Sequence, residues 1–270
     1  SNKGIELVLG TNLAVTPKIN FTTNVTYAYN KNKVKKLNHQ TYNASYITGG
    51  AYVTHYPAQS IWAIKYLGME DGIAYVEGPN DSKVSMDNYE LIYSGNALEY
   101  LQYIGPAIDP HTLGWTVNFN GYGFNLSFLI LGKFGGYFRA PYFRDNIESN
   151  SKYVANRFIR EVINGSDRVP AFQPADRALS TYWGAPGGYT EMLNTLVESS
   201  SSIKFKEISL EYSMPTRWVK KLRLKGMKLY GQVRDLGCIW TQNRYDYDPE
   251  WLPGTMKPST SFKFGLNIVL

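Results

Sequence analysis

The sequence predicts an all-β fold, an antiparallel sheet of the kind that crosses a membrane as a transmembrane β-barrel segment with long extracellular loops. Three observations carry this prediction. Apolar and polar side chains alternate with a period of two in several stretches, as they do in strands with one apolar face. Short and long connections between these stretches alternate along the chain. No apolar run approaches the ~18 residues of a membrane-spanning helix, so a membrane protein of this sequence would cross with strands.

The composition is compatible with this class. The 270 residues are 43% hydrophobic and 19% charged, and the mean hydropathy is −0.32. Only one face of a barrel strand is apolar, so a low mean hydropathy does not exclude a membrane position. The single cysteine, Cys238, excludes an intramolecular disulfide framework.

The net charge of +6 raises the question of a nucleic-acid partner. Lys31, Lys33, Lys35 and Lys36 cluster after the second predicted strand. These lysines are not laid out on a helix or interleaved with stacking aromatic side chains, as they are on many nucleic-acid-binding surfaces. We interpret the cluster as a solvated loop and expect no nucleic-acid partner.

The first two predicted strands form a hairpin. Residues 5–15 alternate Ile, Leu and Val with polar or small side chains, and residues 19–29 alternate more regularly. A Thr-Pro pair turns the chain between them, because proline fixes φ and donates no hydrogen bond to a ladder. Each run is about as long as a tilted membrane-crossing strand. The second run ends in Tyr27 and Tyr29, where an aromatic girdle is expected.

Residues 31–111 are less regular than the strands before them. Residues 61–67 and 73–76 predict a hairpin across an Asp-Gly turn. This hairpin either spans the membrane or stands above it, and we favour the second arrangement.

A further hairpin is predicted from residues 113–119 and 124–134, which an Asn-Gly-Tyr-Gly turn joins. Residues 136–202 are the longest stretch without a strand pattern. They contain a predicted short helix within residues 151–164, followed by a segment crowded with proline, glycine and aromatic residues. A long ordered loop of this kind is usually functional.

The last part of the chain returns to strand patterns. Residues 203–212 and 227–233 alternate around a short turn, and residues 237–258 predict an aromatic-rich loop. Residues 259–270 then alternate Phe, Leu and Ile with mostly polar side chains. An open edge on such a strand invites aggregation, so we expect it to pair on both sides, as the closing strand of a barrel does.

The connections give the predicted sheet a direction. Outer-membrane barrels have short periplasmic turns and long extracellular loops. On that basis the first and the last strands both run towards the periplasm, which makes the strand count odd. Bacterial single-chain barrels have even counts, so we expect residues 1–270 to be the C-terminal portion of one larger barrel domain. The short connections lie at residues 16–18, 120–123 and 214–224, and the long ones lie at residues 30–111, 136–202 and 237–258.

Six segments, in order along the chain, carry a family resemblance. They are residues 2–7 (NKGIEL), 205–215 (FKEISLEYSMP), 218–222 (WVKKL), 229–236 (LYGQVRDL), 245–250 (YDYDPE) and 262–267 (FKFGLN). In sequence and in order they resemble segments of the SusC/RagA-type TonB-dependent outer-membrane transporters. The resemblance runs from the first residues to the last and is strongest after about residue 203.

The resemblance implies a position in the bacterial outer membrane, as the last strands of a barrel of about 22 strands. It also implies the import of glycans or peptides, that is, of oligosaccharide or peptide substrates. A SusD-like lipoprotein would close the outer mouth like a lid, and TonB would pull on an N-terminal plug domain that is absent from this chain. Outer-membrane lipid would surround the barrel.

Aromatic side chains in the long outer loops are the candidate contacts to substrate or lid, since aromatic faces stack on sugars and anchor protein interfaces. The alternative is that they pack the loops onto each other. Asp246, Asp248 and Glu250 alternate like calcium ligands, but an EF-type glycine and distal glutamate are missing, so loop capping and lid contacts are favoured. The candidates are Tyr182, Trp183, Tyr189, Trp240, Tyr245, Tyr247 and Trp251.

No enzymatic activity, cofactor or metal site is predicted. The sequence has no Gly-rich phosphate loop between a strand and a helix, and no Gly-x-Ser-x-Gly elbow. The three histidines, His39, His55 and His111, are far apart and lack partners at ligand spacing. Two carboxylates that meet in space, as in a glycosidase, are disfavoured by the transporter resemblance.

The alternative to a transporter is a soluble all-β module that binds carbohydrate or protein. The two hypotheses differ in the surroundings of Ile19, Phe21 and Val25. These side chains face lipid in a barrel, whereas in a sandwich they are buried against a second sheet.

Overall fold

The computed structural model describes residues 1–71, 73–85, 95–140, 192–252 and 255–270. The helix predicted within residues 151–164 lies outside these ranges. The described strands are β1 (Asn2–Thr16), β2 (Ile19–Asn32), β3 (Ser60–Ile64), β4 (Tyr66–Glu70), β5 (Ile73–Glu77), β6 (Lys83–Ser85), β7 (Leu101–Pro106), β8 (His111–Gly121), β9 (Phe124–Phe134), β10 (Tyr137–Arg139), β11 (Val197–Ser199), β12 (Ser202–Ser213), β13 (Gly226–Thr241) and β14 (Ser261–Val269).

Short helices accompany the strands: α1 (Ala44–Thr48) and α2 (Thr216–Lys221). Among the described residues, no helix is both long enough and apolar enough to cross a membrane.

One antiparallel sheet of seven strands organises the chain, in the order β1-β2-β8-β9-β12-β13-β14. This confirms the predicted all-β class and the predicted hairpins of β1 with β2 and of β8 with β9. Within the described ranges the number of strands in this sheet is odd, as expected. The turns that join β1 to β2, β8 to β9 and β12 to β13 all lie at one end, which we call the short-turn end. The chain between β2 and β8, between β9 and β12 and between β13 and β14 leaves from the opposite end, the long-connection end.

The terminal strand was expected to pair on both sides. Within the described residues β14 pairs with β13 alone, and β1 forms the other edge of the sheet. Both edges therefore carry unpaired backbone groups in the part of the chain that the structure describes.

Strand β13 is longer than the sequence predicts, and the loop predicted to begin at residue 237 begins after Thr241 instead. Asp235 and Gly237 have φ values of 56° and 107°, and both residues look like turn residues in the sequence. They instead sit at a β-bulge, because Glu207 pairs with Arg234 while Phe205 pairs with Gly237. The extra residue bends the strand without ending it.

One face of the sheet is apolar across all seven strands. The register aligns Leu9 with Val25, Val25 with Trp115, Trp115 with Ile130, and Ile130 with Phe205. On the last strands it aligns Ile208 with Val233, and Val233 with Phe262. Because side chains alternate between the two faces along each strand, every second residue contributes to a further cross-strand row on this same face. On the edge strand β1 the side chains of this face are strongly exposed, with Leu9 at 71%, whereas on the inner strands most of them are half-buried. A soluble protein rarely exposes an apolar surface of this extent without a partner.

The opposite face is mostly polar, with Val8, Leu129 and Leu131 as apolar exceptions, and hydrogen bonds connect its side chains. Thr22 Oγ1 donates to Asn12 Oδ1 at 3.4 Å, and the hydroxyls of Ser127 and Ser209 lie 2.7 Å apart. An ion pair between Lys228 and Glu211 (2.8 Å) and another between Arg234 and Glu207 (2.9 Å) continue this surface towards β13. The sheet is thus amphipathic, with one mainly polar face and one apolar face.

Aromatic rings mark both ends of the apolar face. At the short-turn end Phe124 packs on Tyr212, with ring centroids 4.4 Å apart. At the long-connection end the Tyr29 ring lies 4.8 Å from the His111 ring, and the Tyr27 hydroxyl lies 2.7 Å from His111 Nδ1. Membrane-spanning sheets place aromatic side chains in two such bands, at the two interfaces.

The connection between β2 and β8 folds as a small unit with its own core. Strand β3 pairs with β7, and β4, β5 and β6 form a separate sheet. Ile47, Trp62, Ile64 and Val76 are buried together in this unit, and Leu193, from the connection between β9 and β12, packs into the same core.

The predicted strand over residues 61–67 is two strands, because β3 and β4 belong to different sheets. Strands β4 and β5 do form the predicted hairpin, and that hairpin is not part of the seven-stranded sheet.

Candidate functional site

The segment that follows β13, residues 242–252, folds back onto the polar face at the long-connection end. Two carboxylates anchor it to the sheet. Lys204 Nζ, on β12, lies 2.5 Å from Asp248 Oδ1 and 2.7 Å from Glu250 Oε2. Lys133 Nζ, on β9, lies 2.7 Å from Glu250 Oε1. The segment is therefore held by two neighbouring strands at once, and we call residues 242–252 the latch segment.

Of the lysine contacts to the latch segment, those of Lys204 are the most buried. The Lys204 side chain is only 5% exposed, whereas Lys206, 3.5 Å from Glu250, is 28% exposed. A buried ammonium without partners is costly, and its two carboxylates compensate for the lost hydration. Both carboxylates that partner this nearly buried lysine come from the latch segment.

The electrostatics of Glu250 follow from the same contacts. Burial alone would raise the pKa of this carboxyl, but the hydrogen bonds from Lys133 and Lys204 outweigh burial and lower the pKa to about 2. The carboxylate therefore stays charged far below its ordinary range.

We expect docking of the latch segment to weaken in acid. The pKa of Glu250 is about 2 in the folded state and has an ordinary value of 4.5. A lowered folded-state pKa stabilises the docked state above pH 4.5, and this stabilisation is lost as the pH falls towards 2. Hydrogen–deuterium exchange of residues 243–252, corrected for intrinsic rates, measures the effect. Protection that is unchanged across this range would contradict the account.

Asn243 organises the interior of the latch segment. Its Oδ1 accepts hydrogen bonds from the backbone N–H of Tyr247 at 2.8 Å and of Tyr245 at 3.3 Å. Its Nδ2 donates to the Tyr247 carbonyl at 2.7 Å. Asn243 is 4% exposed, so its side chain forms these hydrogen bonds away from solvent. One side chain thus closes the turn that presents the two anchoring carboxylates.

We expect Asn243→Ala to open this turn locally. Three hydrogen bonds are lost, two of them buried, and a buried backbone group left unpaired costs about 1–3 kcal/mol. Amide exchange at Tyr247 measures the opening. Gln242→Ala is the matched control, since the Gln242 side chain makes one exposed contact, with Ser199 at 3.0 Å. Equal exchange in the two variants would refute the role of Asn243.

A second anchor joins the latch segment to β11. The Arg244 N–H donates to Glu198 Oε2 at 3.3 Å, and its guanidinium lies 3.5 Å from Glu198 Oε1. Glu198 itself is buried. The latch segment therefore links the seven-stranded sheet to the connection between β9 and β12.

The predicted aromatic contacts are distributed over both faces. Tyr245 and Tyr247 lie in the latch segment with ring centroids 5.4 Å apart, and Tyr247 is buried. Trp251, at the end of the latch segment, is 36% exposed. Trp240 pairs with Ile203 and lies 6.5 Å from the Phe134 ring, which puts it in the aromatic band of the apolar face. The remaining candidates, Tyr182, Trp183 and Tyr189, lie outside the described residues.

Asp248 and Glu250 face lysines rather than a vacant cation position. Within the described ranges, no group of three His, Cys, Asp or Glu side chains is arranged to hold a metal ion. The contacts of these two carboxylates agree with the predicted capping of the loop.

The sequence reasoning missed a set of exposed tyrosines on the small unit. Asn43 caps α1 by accepting from Ser45 N–H at 2.9 Å, and this turn holds Tyr46 outward at 68% exposure. Tyr42 and Tyr52 are also exposed. The signal in the sequence was the Asn-Ala-Ser cap next to three tyrosines. Exposed tyrosines are common at protein interfaces.

Comparisons with known proteins support the fold. Solved chains of the RagAB peptide importer in its "open-open" and "closed-closed" states match with TM-scores of 0.67 and 0.69, each at 17% sequence identity. A chain of the RagAB peptide transporter matches with a TM-score of 0.67 at 16% identity. No protein-family model and no curated protein matches the sequence.

These matches cover 100% of this chain but only 28% or 29% of the importer chains. The chain therefore spans less than a third of the length of the proteins that it resembles in structure. The fold is an amphipathic antiparallel sheet, and it is similar to a part of the RagAB importer chains. At this identity the comparison establishes the fold alone.

Proposed function

We propose that residues 1–270 form the C-terminal portion of an outer-membrane importer barrel, with the plug domain outside this chain. The observation that carries the proposal is the apolar face, which runs across all seven strands between two aromatic bands. Such a face suits the hydrocarbon region of a bilayer, and the polar face suits a hydrated lumen. The match to RagAB importer chains over the whole length supports the same assignment.

In this proposal the long-connection end is extracellular, and the latch segment lies at the outer mouth. The chain takes part in the import of peptides or glycans, and the peptide importers among its structural neighbours favour peptides. A SusD-like lipoprotein covers the mouth, and TonB acts through the plug. The polar face and the docked latch segment line the path by which the substrate enters.

Individual residues take different roles in the proposal. Tyr245 and Trp251 present aromatic surface at the mouth and contact the substrate or the lid. The buried Tyr247 packs against the Tyr245 ring and supports it. Trp240 anchors the sheet at the membrane interface, where Trp and Tyr are enriched. Tyr182, Trp183 and Tyr189 are further candidates for contacts to substrate or lid.

Uptake by living cells tests the proposal. We expect deletion of the gene to abolish uptake of labelled oligopeptides or of oligosaccharides, and loss of TonB to have the same effect. Intact mass spectrometry of the detergent-extracted outer membrane should find this sequence in a polypeptide several times heavier than 30.6 kDa. Unchanged uptake of both substrate classes, or a soluble product, would overturn the proposal.

A further inference from the structure

Two lysines lie directly opposite each other on the apolar face, where β1 and β2 meet at the long-connection end. Lys31, interpreted from the sequence as part of a solvated loop, lies within β2 instead. Lys3 is its register partner, next to the apolar pair of Ile5 and Tyr29. Alternation puts Lys3 on the same face as Ile5, and Lys31 on the same face as Tyr29. Both lysines are exposed. Like charges directly opposite on neighbouring strands destabilise a sheet.

Among the residues that the structure describes, no carboxylate compensates this pair. Glu6 is the one acidic residue among residues 1–69. It pairs with Ala28, one position away from the Ile5 row, and therefore points to the polar face. In the described part of the chain neither Lys3 nor Lys31 forms an ion pair. The lysines thus form an uncompensated cationic spot on an otherwise apolar surface.

The distance of this cationic spot from the aromatic band indicates its depth in the membrane. Lys31 is two residues beyond Tyr29, a rise of about 7 Å along the strand. At a tilt of about 45° this is about 5 Å along the membrane normal. The polar headgroup layer on each side of a bilayer is about 5–7 Å thick. With Tyr29 at the interface, both ammonium groups lie at the level of lipid phosphates, and their aliphatic stems lie against the apolar face.

We propose that Lys3 and Lys31 bind the phosphate group of an anionic lipid headgroup in the outer leaflet. The two ammonium groups hold the phosphate between β1 and β2, and this relieves their mutual repulsion. The site fixes a lipid on the wall of the barrel beside the aromatic band. This inference rests on the proposed function, because that proposal supplies the orientation in the membrane.

Native mass spectrometry of the purified full-length protein tests the site. The probes are lipid A that carries its phosphates and the same lipid after enzymatic removal of the phosphates. We expect the wild-type protein to retain the phosphorylated lipid selectively. Lys3→Ala with Lys31→Ala should weaken retention about thirtyfold, the effect of removing two lysines from an anionic lipid surface. Lys3→Arg with Lys31→Arg should keep it, because the charge is preserved.

The matched control is Lys263→Ala, since Lys263 is exposed on β14 but pairs with Gln232 on the polar face. We expect this variant to retain lipid like the wild type. Equal retention of both lipids by the wild type would overturn the site, as would full retention by the double alanine variant or an equal loss in Lys263→Ala. A protein that is absent from the outer membrane would overturn the proposed function as well, whereas an outer-membrane barrel without selective retention overturns the lipid site alone.

Discussion

Val25→Arg should prevent assembly of the protein in the outer membrane. Val25 lies at the middle of β2 on the apolar face, between Leu9 and Trp115. An arginine on the lipid face near the bilayer midplane costs about 2–4 kcal/mol. We expect this cost to appear as a loss of folded, heat-modifiable protein from the membrane fraction, with urea denaturation as the quantitative measurement.

Asn24→Arg is the control for this prediction. Asn24 is the neighbouring residue and faces the polar side, next to Gly10 and Thr116. A charge is tolerated on a lumen-facing surface, so this variant should assemble like the wild type. Normal assembly of Val25→Arg would show that the apolar face does not contact lipid. Failure of both variants would show that the two faces are equally buried.

Lys204→Met should release the latch segment. The substitution keeps the length of the side chain but removes the ammonium that pairs with Asp248 and Glu250. Removing one partner of a buried pair leaves an uncompensated charge. Glu250 keeps its ion pair with Lys133. We therefore expect the free energy of docking of the latch segment to weaken by about 3 kcal/mol, the lower end of the range for breaking a buried ion pair. Hydrogen exchange and limited proteolysis at Arg244 should both show an opened segment in an otherwise intact sheet.

Lys206→Met is the matched control for the latch. Lys206 reaches the same Glu250 at 3.5 Å but is more exposed, and exposed pairs contribute about 0–1 kcal/mol. We expect little change in proteolysis. The importance of Lys204 would be refuted if both variants released the segment to the same extent, or if neither did.

The sheet was predictable from the sequence because its signal is local. Period-two alternation located the strands of the seven-stranded sheet, and the Thr-Pro and Gly-containing turns located two of its hairpins. The end of β13 was not predictable, since Asp235 and Gly237 have the character of turn residues and only cross-strand pairing shows that they form a bulge. The division of residues 61–67 between β3 and β4 likewise depends on the buried core around Trp62 and Ile64.

The candidate site was predictable only in part, for a physical reason. The sequence indicated that the carboxylates around residue 248 cap a loop. Their partners were hidden, because Lys204 and Lys133 are 44 and 117 positions away from the carboxylates that they pair with. The role of Asn243 depends on a turn in which Asp246 has a φ of 55°, and alternation patterns carry no information about such a turn. Contacts between distant segments follow from the register of the strands.

The most direct test of the central claim is a scan of spin-label accessibility along β2. In a Cys238→Ser background, which removes the one cysteine of residues 1–270, labels are placed one at a time at residues 19–29 of the membrane-embedded protein. The account predicts a period of two, with odd positions such as Val25 accessible to oxygen in the lipid and even positions such as Asn24 accessible to a water-soluble nickel chelate. Odd positions that are protected from both reagents would contradict it, because the apolar face would then be buried against a second sheet, as in a soluble module.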